Sequence, residues 1–337
     1  MSNLFNPYNA NCLIDLHLHL DGALDTDIVR ELAAVQHIPL PEDDNELRAM
    51  ISVSSGCRSL TDYLEKFDFT TSLLRNGPAL TLAVRRVLER QWEQGVMYTE
   101  IRFAPLLSVR EGFSQEDAVL AAIQGLKEAG DRHTGLILCC MRSRSGDDNL
   151  ETLEIAKRYL GKGVCGVDLA GNEAIWPNAL FSSLLLKAGE LGLPFTVHAG
   201  EAAGPESVEA AVSCGARRIG HGVRSISDPA LMRRLAESRV TLELCPTSNL
   251  DTKAVSDLSH YPLRTFMEHG IPVTVNTDDP VISATDIRRE WQLLTDEFSV
   301  TNDEARAILL NAADAAFCDD TEKARLRDKI HAHFDNK

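Results

Sequence analysis

The chain has 337 residues, of which 44% are hydrophobic and 25% charged, and its formal net charge is −16. This composition is ordinary for a globular protein, and no apolar run approaches the roughly 20 residues that a membrane-spanning helix needs. The negative charge repels nucleic-acid backbones and anionic lipid surfaces, so we expect a small molecule as partner, and neither nucleic acid nor a membrane.

The N-terminal residues and the cysteines indicate a compartment. Residues 1–11 are polar and contain neither the basic nor the apolar region of a secretory signal. Eight cysteines are scattered along the chain without a C-x-x-C pair, which favours reduced thiols over a disulfide framework. We therefore expect a cytoplasmic protein, and its oligomeric state is left open.

Eight candidate strands alternate with helical patterns, and several of them begin just after a helix-stopping glycine. This rhythm predicts a closed (β/α)₈ barrel, a TIM barrel, that forms one domain over residues 1–337. The predicted strands are, in chain order, Leu13–Leu20, Met97–Phe103, Gly135–Met141, Val164–Ala170, Pro194–Val197, Arg218–His221, Val240–Leu244 and Ile271–Asn276.

One connection is much longer than a single crossover helix requires. Residues 23–96 are predicted to form a helical insertion after the first strand, and residues 284–334 a set of C-terminal helices. Within the insertion, apolar residues at helical spacing could face the core or gate the barrel mouth, and the two roles are compatible. They are Leu60, Tyr63, Leu64 and Phe67.

His17 and His19 lie two residues apart in the first strand, so their side chains share one face and can bind one ion together. An H-x-H pair also arises by chance: His331 and His333 form one in a helical tail, where residues i and i+2 do not face each other. Spacing alone therefore leaves the role of the first pair open.

Two further residues favour a metal site. His198 ends the fifth strand and Asp278 follows the eighth, and three imidazoles with one carboxylate are a typical zinc ligand set. A site for two metal ions would need a bridging group, such as a modified lysine, near the end of the fourth strand. Residues 168–173 contain no lysine. One zinc ion per chain is the prediction.

Acid and base candidates stand beside these ligands. Glu201 follows His198 by three residues, where it is either a surface glutamate or a general acid, and we favour the acid. His221, between two glycines, could be a ligand, a core residue or a base beside the reacting water, and the base fits best. Asp279 follows Asp278 directly, so the two carboxylates can serve different partners.

Charged residues also occur inside predicted strands, where they are costly unless paired within the barrel. We interpret them as a supporting polar network. They are Glu100, Arg102, Asp168 and Glu243.

Seven segments resemble, in order, the adenosine deaminase family of the metal-dependent amidohydrolases, and the resemblance covers nearly the whole chain. They are HLHLDG at 17–22, LxxYLxKF at 60–67, DLAGNE at 168–173, HAGEAAGPES at 198–207, GHG at 220–222, CPTSN at 245–249 and NTDDP at 276–280. Several long motifs in the correct order make chance similarity very unlikely.

The resemblance implies a role for each matching residue. His17, His19, His198 and Asp278 would hold zinc, Glu201 would protonate purine N1, and His221 would orient or deprotonate the attacking water. Substrate contacts would come from Asp279 to N7, from the backbone of Gly171 to N3, and from Asp21 to a ribose hydroxyl.

The resemblance also bears on the substrate. Related adenine deaminases tend to carry HLEG, DHG and NSDDP, whereas this chain has Asp21, Gly220 and Thr277 at the corresponding positions, which favours a ribosylated purine. The expected reaction is deamination of adenosine and 2′-deoxyadenosine to the 6-oxo product in purine salvage. The alternatives are deamination of adenine or of a modified adenosine, and a catalytically silent zinc protein that only binds adenosine.

Overall fold

The computed structural model describes residues 4–53, 57–130 and 133–335. Its strands are all parallel to their neighbours and form two four-stranded sheets, in the orders β1-β2-β3-β4 and β5-β6-β7-β8. The strands are β1 Leu13–His19, β2 Val96–Phe103, β3 Thr134–Met141, β4 Val164–Ala170, β5 Thr196–Ala199, β6 Arg218–His221, β7 Thr241–Leu244 and β8 Val273–Val275.

Short bridges join the two sheets at both seams. Between β4 and β5, the Val167 amide donates to the Pro194 carbonyl at 3.0 Å. Between β8 and β1, the Asp278 amide donates to the His17 carbonyl at 2.7 Å, and the Asp278 carbonyl accepts from the His19 amide at 2.8 Å. The eight strands therefore form a ring, and the predicted (β/α)₈ barrel is confirmed.

Helices surround this ring in the order expected of a barrel, except that several precede β2. The α-helices of the described ranges are α1 Thr26–Gln36, α2 Asp44–Ile51, α3 Leu60–Leu64, α4 Phe67–Ser72, α5 Gly77–Glu93, α6 Gln115–Ala129, α7 Gly146–Tyr159, α8 Ser182–Glu190, α9 Pro205–Ser213, α10 Pro229–Glu237, α11 Pro246–Asp251, α12 Leu263–Glu268, α13 Ile287–Phe298, α14 Asn302–Ala315 and α15 Asp320–Asp335. None of them is long and apolar enough to cross a membrane.

Two strands differ by more than one residue from their predicted bounds, and four others differ by one residue at one end. The fifth was predicted over Pro194–Val197 and forms over Thr196–Ala199, because Pro194 has no amide proton and makes only the seam bridge through its carbonyl. The eighth was predicted over Ile271–Asn276 and is limited to Val273–Val275. The shift in β5 places His198 inside the strand, with its side chain held by strand geometry.

The barrel interior contains the charged network that the sequence predicted. The Arg102 guanidinium donates to Asp168 and to Glu243, both at 2.9 Å. Arg218 pairs with Glu100 and with the other oxygen of Glu243. All five side chains are buried, so the pairing offsets the cost of removing charges from water.

Candidate active site

The four residues predicted to bind metal converge at the carboxyl end of the barrel. Nε2 of His198 lies 3.1 Å from Nε2 of His17 and 3.2 Å from Nε2 of His19. Oδ1 of Asp278 lies 3.1 Å and 3.4 Å from the same two atoms of His17 and His19. One donor atom from each residue therefore faces a common point.

The surroundings of these rings fit a bound cation. Nδ1 of His17 lies 2.7 Å from Oε2 of Glu243, and Nδ1 of His198 lies 2.9 Å from Oδ2 of Asp168. Because each ring directs Nδ1 to a carboxylate, its Nε2 presents a lone pair to the shared point. Lone pairs 3.1 Å apart repel each other unless a cation lies between them, so the donor set matches a metal ion.

Other donor groups in the described residues do not compete with this one. A second grouping, of His221, Cys245 and Asp278, overlaps it through Asp278. Burial raises the pKa of the Cys245 thiol well above its ordinary value, and this grouping offers one imidazole where the first offers three. His331 and His333 lie on α15, away from any such group.

Two site residues have a left-handed backbone. His221 has φ 64° and Asp278 has φ 61°, a backbone region that residues other than glycine rarely adopt. Each lies at or just beyond the carboxyl end of its strand. Such strain persists only where the surrounding structure enforces it, and it is concentrated at functional sites.

Glu201 is buried rather than exposed on the surface. Its exposed fraction is 5%, and its loop wraps around the Glu173 carboxylate, which accepts four consecutive amide protons from residues 200–203 at 2.8 to 3.1 Å. Burial, reinforced by Asp278 and by Glu173, raises the pKa of Glu201 to about 8. The carboxyl is therefore neutral at pH 7 and able to donate a proton.

His221 lies close to both Glu201 and Asp278. Its Nε2 lies 3.8 Å from Oε2 of Glu201 and 3.9 Å from Oδ2 of Asp278. Both distances are longer than a direct hydrogen bond. Burial lowers the pKa of His221 to about 3, so the ring is neutral at pH 7. Nδ1 pairs with the Asn249 amide at 2.9 Å, and Asn249 also accepts from the Tyr261 hydroxyl at 3.0 Å.

The three residues predicted to contact substrate follow the carboxyl ends of β1, β4 and β8. Asp21 follows β1 in a short 3₁₀ turn, and Gly171 follows β4 with φ 102°, which requires glycine. Asp279 is buried and, as predicted, takes a different partner from Asp278: its Oδ2 accepts from the Tyr63 hydroxyl, whereas Oδ2 of Asp278 accepts from Ser248 at 2.6 Å.

Comparison with known proteins identifies the family. The adenosine deaminase family model matches residues 12–333. The chain belongs to this family. An adenosine deaminase of Haemophilus ducreyi is 45% identical over 332 residues, which are 96% of both chains, and one of Lacticaseibacillus casei is 38% identical over 95% of both. The chain is therefore a hydrolytic deaminase, and the family and the donor cluster together indicate a metal cofactor.

Solved structures of relatives have the same fold as this chain, and their names include other substrates. An adenine deaminase of Arthrobacter aurescens superposes with a TM-score of 0.86 at 28% identity, covering 95% of this chain and 98% of that one. An N6-methyl-AMP deaminase of Arabidopsis thaliana superposes with a TM-score of 0.84 at 26% identity, covering 97% and 98%. Both act on 6-aminopurines, according to their names.

Several residues that hold the site residues in place were not predicted from the sequence. Glu173 and Asn249 lie inside matched motifs, which is the signal that could have singled them out. Tyr261 lies outside the matched motifs, and its hydroxyl donates to Asn249. Tyr63 was considered only as an apolar residue, and its hydroxyl reaches Asp279.

The lack of a side chain at Gly220 is predicted to keep the metal-binding histidines in position. A Cβ at this position would lie 2.8 Å from Cε1 of His17 and 3.3 Å from Cα of His198. We expect Gly220→Ala to displace His17 and to weaken metal binding by about tenfold or more, measured by competition with a chelator. Gly189→Ala is the control, since a Cβ there meets nothing within 4 Å. Equal metal affinity in both variants would contradict the prediction.

Proposed function

We propose that the chain catalyses zinc-dependent hydrolysis of adenosine, and of 2′-deoxyadenosine, to the corresponding 6-oxo nucleoside and ammonia. One observation carries this proposal most directly. Glu201 is a neutral, buried carboxylic acid beside both a neutral histidine and a cluster of four metal donors. That combination supplies a proton donor and an activated water within one pocket, as deamination of an aromatic amine requires.

Metal binding is assigned to His17, His19, His198 and Asp278. Three imidazole nitrogens and one carboxylate oxygen favour Zn²⁺ over harder ions such as Mg²⁺, which prefer oxygen ligands. When bound, zinc lowers the pKa of a coordinated water from about 16 toward 7 and so supplies a nucleophile at neutral pH.

The protein groups carry out the remaining steps. Glu201 protonates the purine at N1, which removes aromatic stabilisation at C6 and makes that carbon electrophilic. His221 orients the attacking water by donating from Nε2, because its Nδ1 accepts from the Asn249 amide, while Asp278 directs the water to one face of the ring. The oxygen of water adds to C6, one proton of the water passes to the amino group and the other returns to Glu201, and the C6–N bond breaks so that nitrogen leaves as ammonia.

Substrate orientation is assigned to three other groups. Asp279 contacts N7, the Gly171 backbone contacts N3, and Asp21 contacts a ribose hydroxyl. Asp21 is buried enough that its pKa is raised to about 6, and its Oδ2 accepts from the Thr71 hydroxyl at 3.3 Å. A ribose hydroxyl donated to this carboxylate favours a nucleoside over the free base. Action on purine nucleosides in the cytoplasm stays a prediction.

Product analysis tests the choice of substrate. We expect zinc-loaded enzyme to release ammonia from adenosine and 2′-deoxyadenosine with a kcat/KM at least about a hundredfold above that for adenine or N6-methyl-AMP, because only nucleosides offer Asp21 a free sugar without a 5′ anion. Preferred turnover of adenine, or of the nucleotide, would contradict the proposal and indicate one of the activities named for the structural neighbours. Binding of adenosine without ammonia release would support the non-catalytic alternative.

The pH dependence follows from Glu201. Its pKa is raised to about 8, and the acid must be protonated to act, so kcat/KM should be constant just below that pH and fall about tenfold per unit above it. The measurement is kcat/KM for adenosine at fixed ionic strength and saturating zinc. A profile that stays flat roughly two units beyond the raised pKa would contradict the acid role of Glu201.

A further inference from the structure

The segment from α3 to α4, residues 60–72, makes direct contact with the proposed active site. The Phe67 ring lies 6.4 Å from the His19 ring, between centroids. Three polar side chains of this segment each reach a loop that contains, or adjoins, a proposed substrate contact. The pairs are Tyr63 with Asp279, Thr61 with Asn172, and Thr71 with Asp21.

Tyr63 makes the most buried of these contacts. Its exposed fraction is 1%, and its hydroxyl lies 3.2 Å from Oδ2 of Asp279 and 2.8 Å from Oγ of Ser283. A phenol has one proton to donate and can also accept, so Asp279 and Ser283 together use the hydroxyl fully. The polar tip of Tyr63 therefore has partners although the ring is buried.

The two oxygens of Asp279 have different surroundings. Oδ2 is held by the Tyr63 hydroxyl, whereas Oδ1 has no hydrogen-bond partner among the residues that the structure describes, although it is buried. Oδ1 lies against the backbone of Gly22, where a Cβ would be only 1.9 Å away. An unpartnered buried oxygen is costly in the absence of ligand, so this atom is the one available to a bound molecule.

We propose that Tyr63 is a positioning residue that holds Asp279 in the rotamer in which Oδ1 contacts purine N7. The inference rests on the proposed function, which assigns the N7 contact to Asp279. N7 has a lone pair and no proton, so a carboxyl group contacts it through an O–H. A donor fixed at Oδ2 leaves Oδ1 as the oxygen that presents this O–H, and it prevents the side chain from rotating away from the ring.

The hydroxyl of Tyr63 thereby links the segment to recognition of the base. A purely structural role is the competing explanation, in which the hydroxyl only ties residues 60–72 to the barrel. The two explanations differ in one respect. Positioning of Asp279 matters only for ligands that possess N7, whereas loosening of the segment weakens every ligand of the pocket.

Two nucleoside analogues separate these explanations. In 1-deazaadenosine, N7 is present and N1 is absent, so Glu201 has no ring nitrogen to protonate; 7-deazaadenosine has no N7. We expect Tyr63→Phe, which removes only the hydroxyl, to raise the inhibition constant of 1-deazaadenosine about tenfold or more and that of 7-deazaadenosine by less than about twofold. Tyr159→Phe is the control, because its hydroxyl donates to Glu116 on the neighbouring helix α6.

A double-mutant cycle gives a second, independent readout. If Tyr63 acts through Asp279, adding Tyr63→Phe to Asp279→Ala should change the inhibition constant of 1-deazaadenosine by less than about twofold. Equal weakening of both analogues by Tyr63→Phe, no weakening of either, or full additivity in the cycle would overturn the inference. Failure of the unmodified enzyme to deaminate adenosine would instead overturn the proposed function, so the two failures are distinguishable.

Discussion

Glu201→Gln is expected to lower kcat for adenosine by about 10³- to 10⁴-fold while one metal ion per chain stays bound. The amide has the shape of the carboxyl group but cannot deliver a proton to N1. Glu201 stands outside the donor cluster, so its replacement should leave the metal site intact. The measurement pairs steady-state kinetics with metal analysis of the same preparation.

Glu206→Gln is the matched control, because this exposed glutamate lies in the first turn of α9, directly after the loop that contains Glu201, and its carboxylate caps the Gly204 amide. We expect it to retain normal turnover. Near-normal turnover by Glu201→Gln would exclude the acid role. Loss of the metal from that variant would show that Glu201 is a ligand instead.

Asp278→Ala is expected to reduce bound metal from one ion per chain to a small fraction of that, with loss of turnover. Its Oδ1 is the only carboxylate oxygen in the four-residue donor group, and its Oδ2 accepts from Ser248, which fixes the carboxylate plane. Removing this charge leaves three imidazole ligands, which bind Zn²⁺ more weakly without the carboxylate. Metal content after dialysis is the measurement.

Asp279→Ala serves as the comparison, since this neighbouring residue faces Tyr63 and lies outside the donor group. It should retain its metal and lose kcat/KM. An unchanged metal content in Asp278→Ala, or a similar loss of metal in both variants, would contradict the ligand assignment.

The barrel and the site residues were predictable from the sequence because each depends on short segments. His17 and His19 share a strand face by their spacing alone, and glycines mark the ends of the helices. The carboxyl ends of all strands meet at one rim of a barrel, which brings His198 and Asp278 to the same place without any knowledge of contacts. Fold and candidate ligands therefore follow from local patterns.

The positioning residues were not predictable because they depend on contacts between distant segments. Tyr63 and Asp279 are 216 residues apart, and helical spacing predicted only that Tyr63 would be buried. The spacing also implied a continuous helix through Phe67, whereas α3 ends at Leu64 and α4 begins at Phe67. The matched motif marks Glu173, but its role could not be predicted, since its carboxylate binds amide protons of the distant residues 200–203.

Zinc titration of chelator-treated enzyme, followed by ammonia release from adenosine, tests the central claim most directly. The proposed site predicts no turnover before zinc is added, a linear rise, and a plateau at one equivalent per chain, with 6-oxo nucleoside and ammonia formed in equal amounts. Full turnover by the metal-free chain, or a plateau that needs a second equivalent, would contradict a single-zinc adenosine deaminase site.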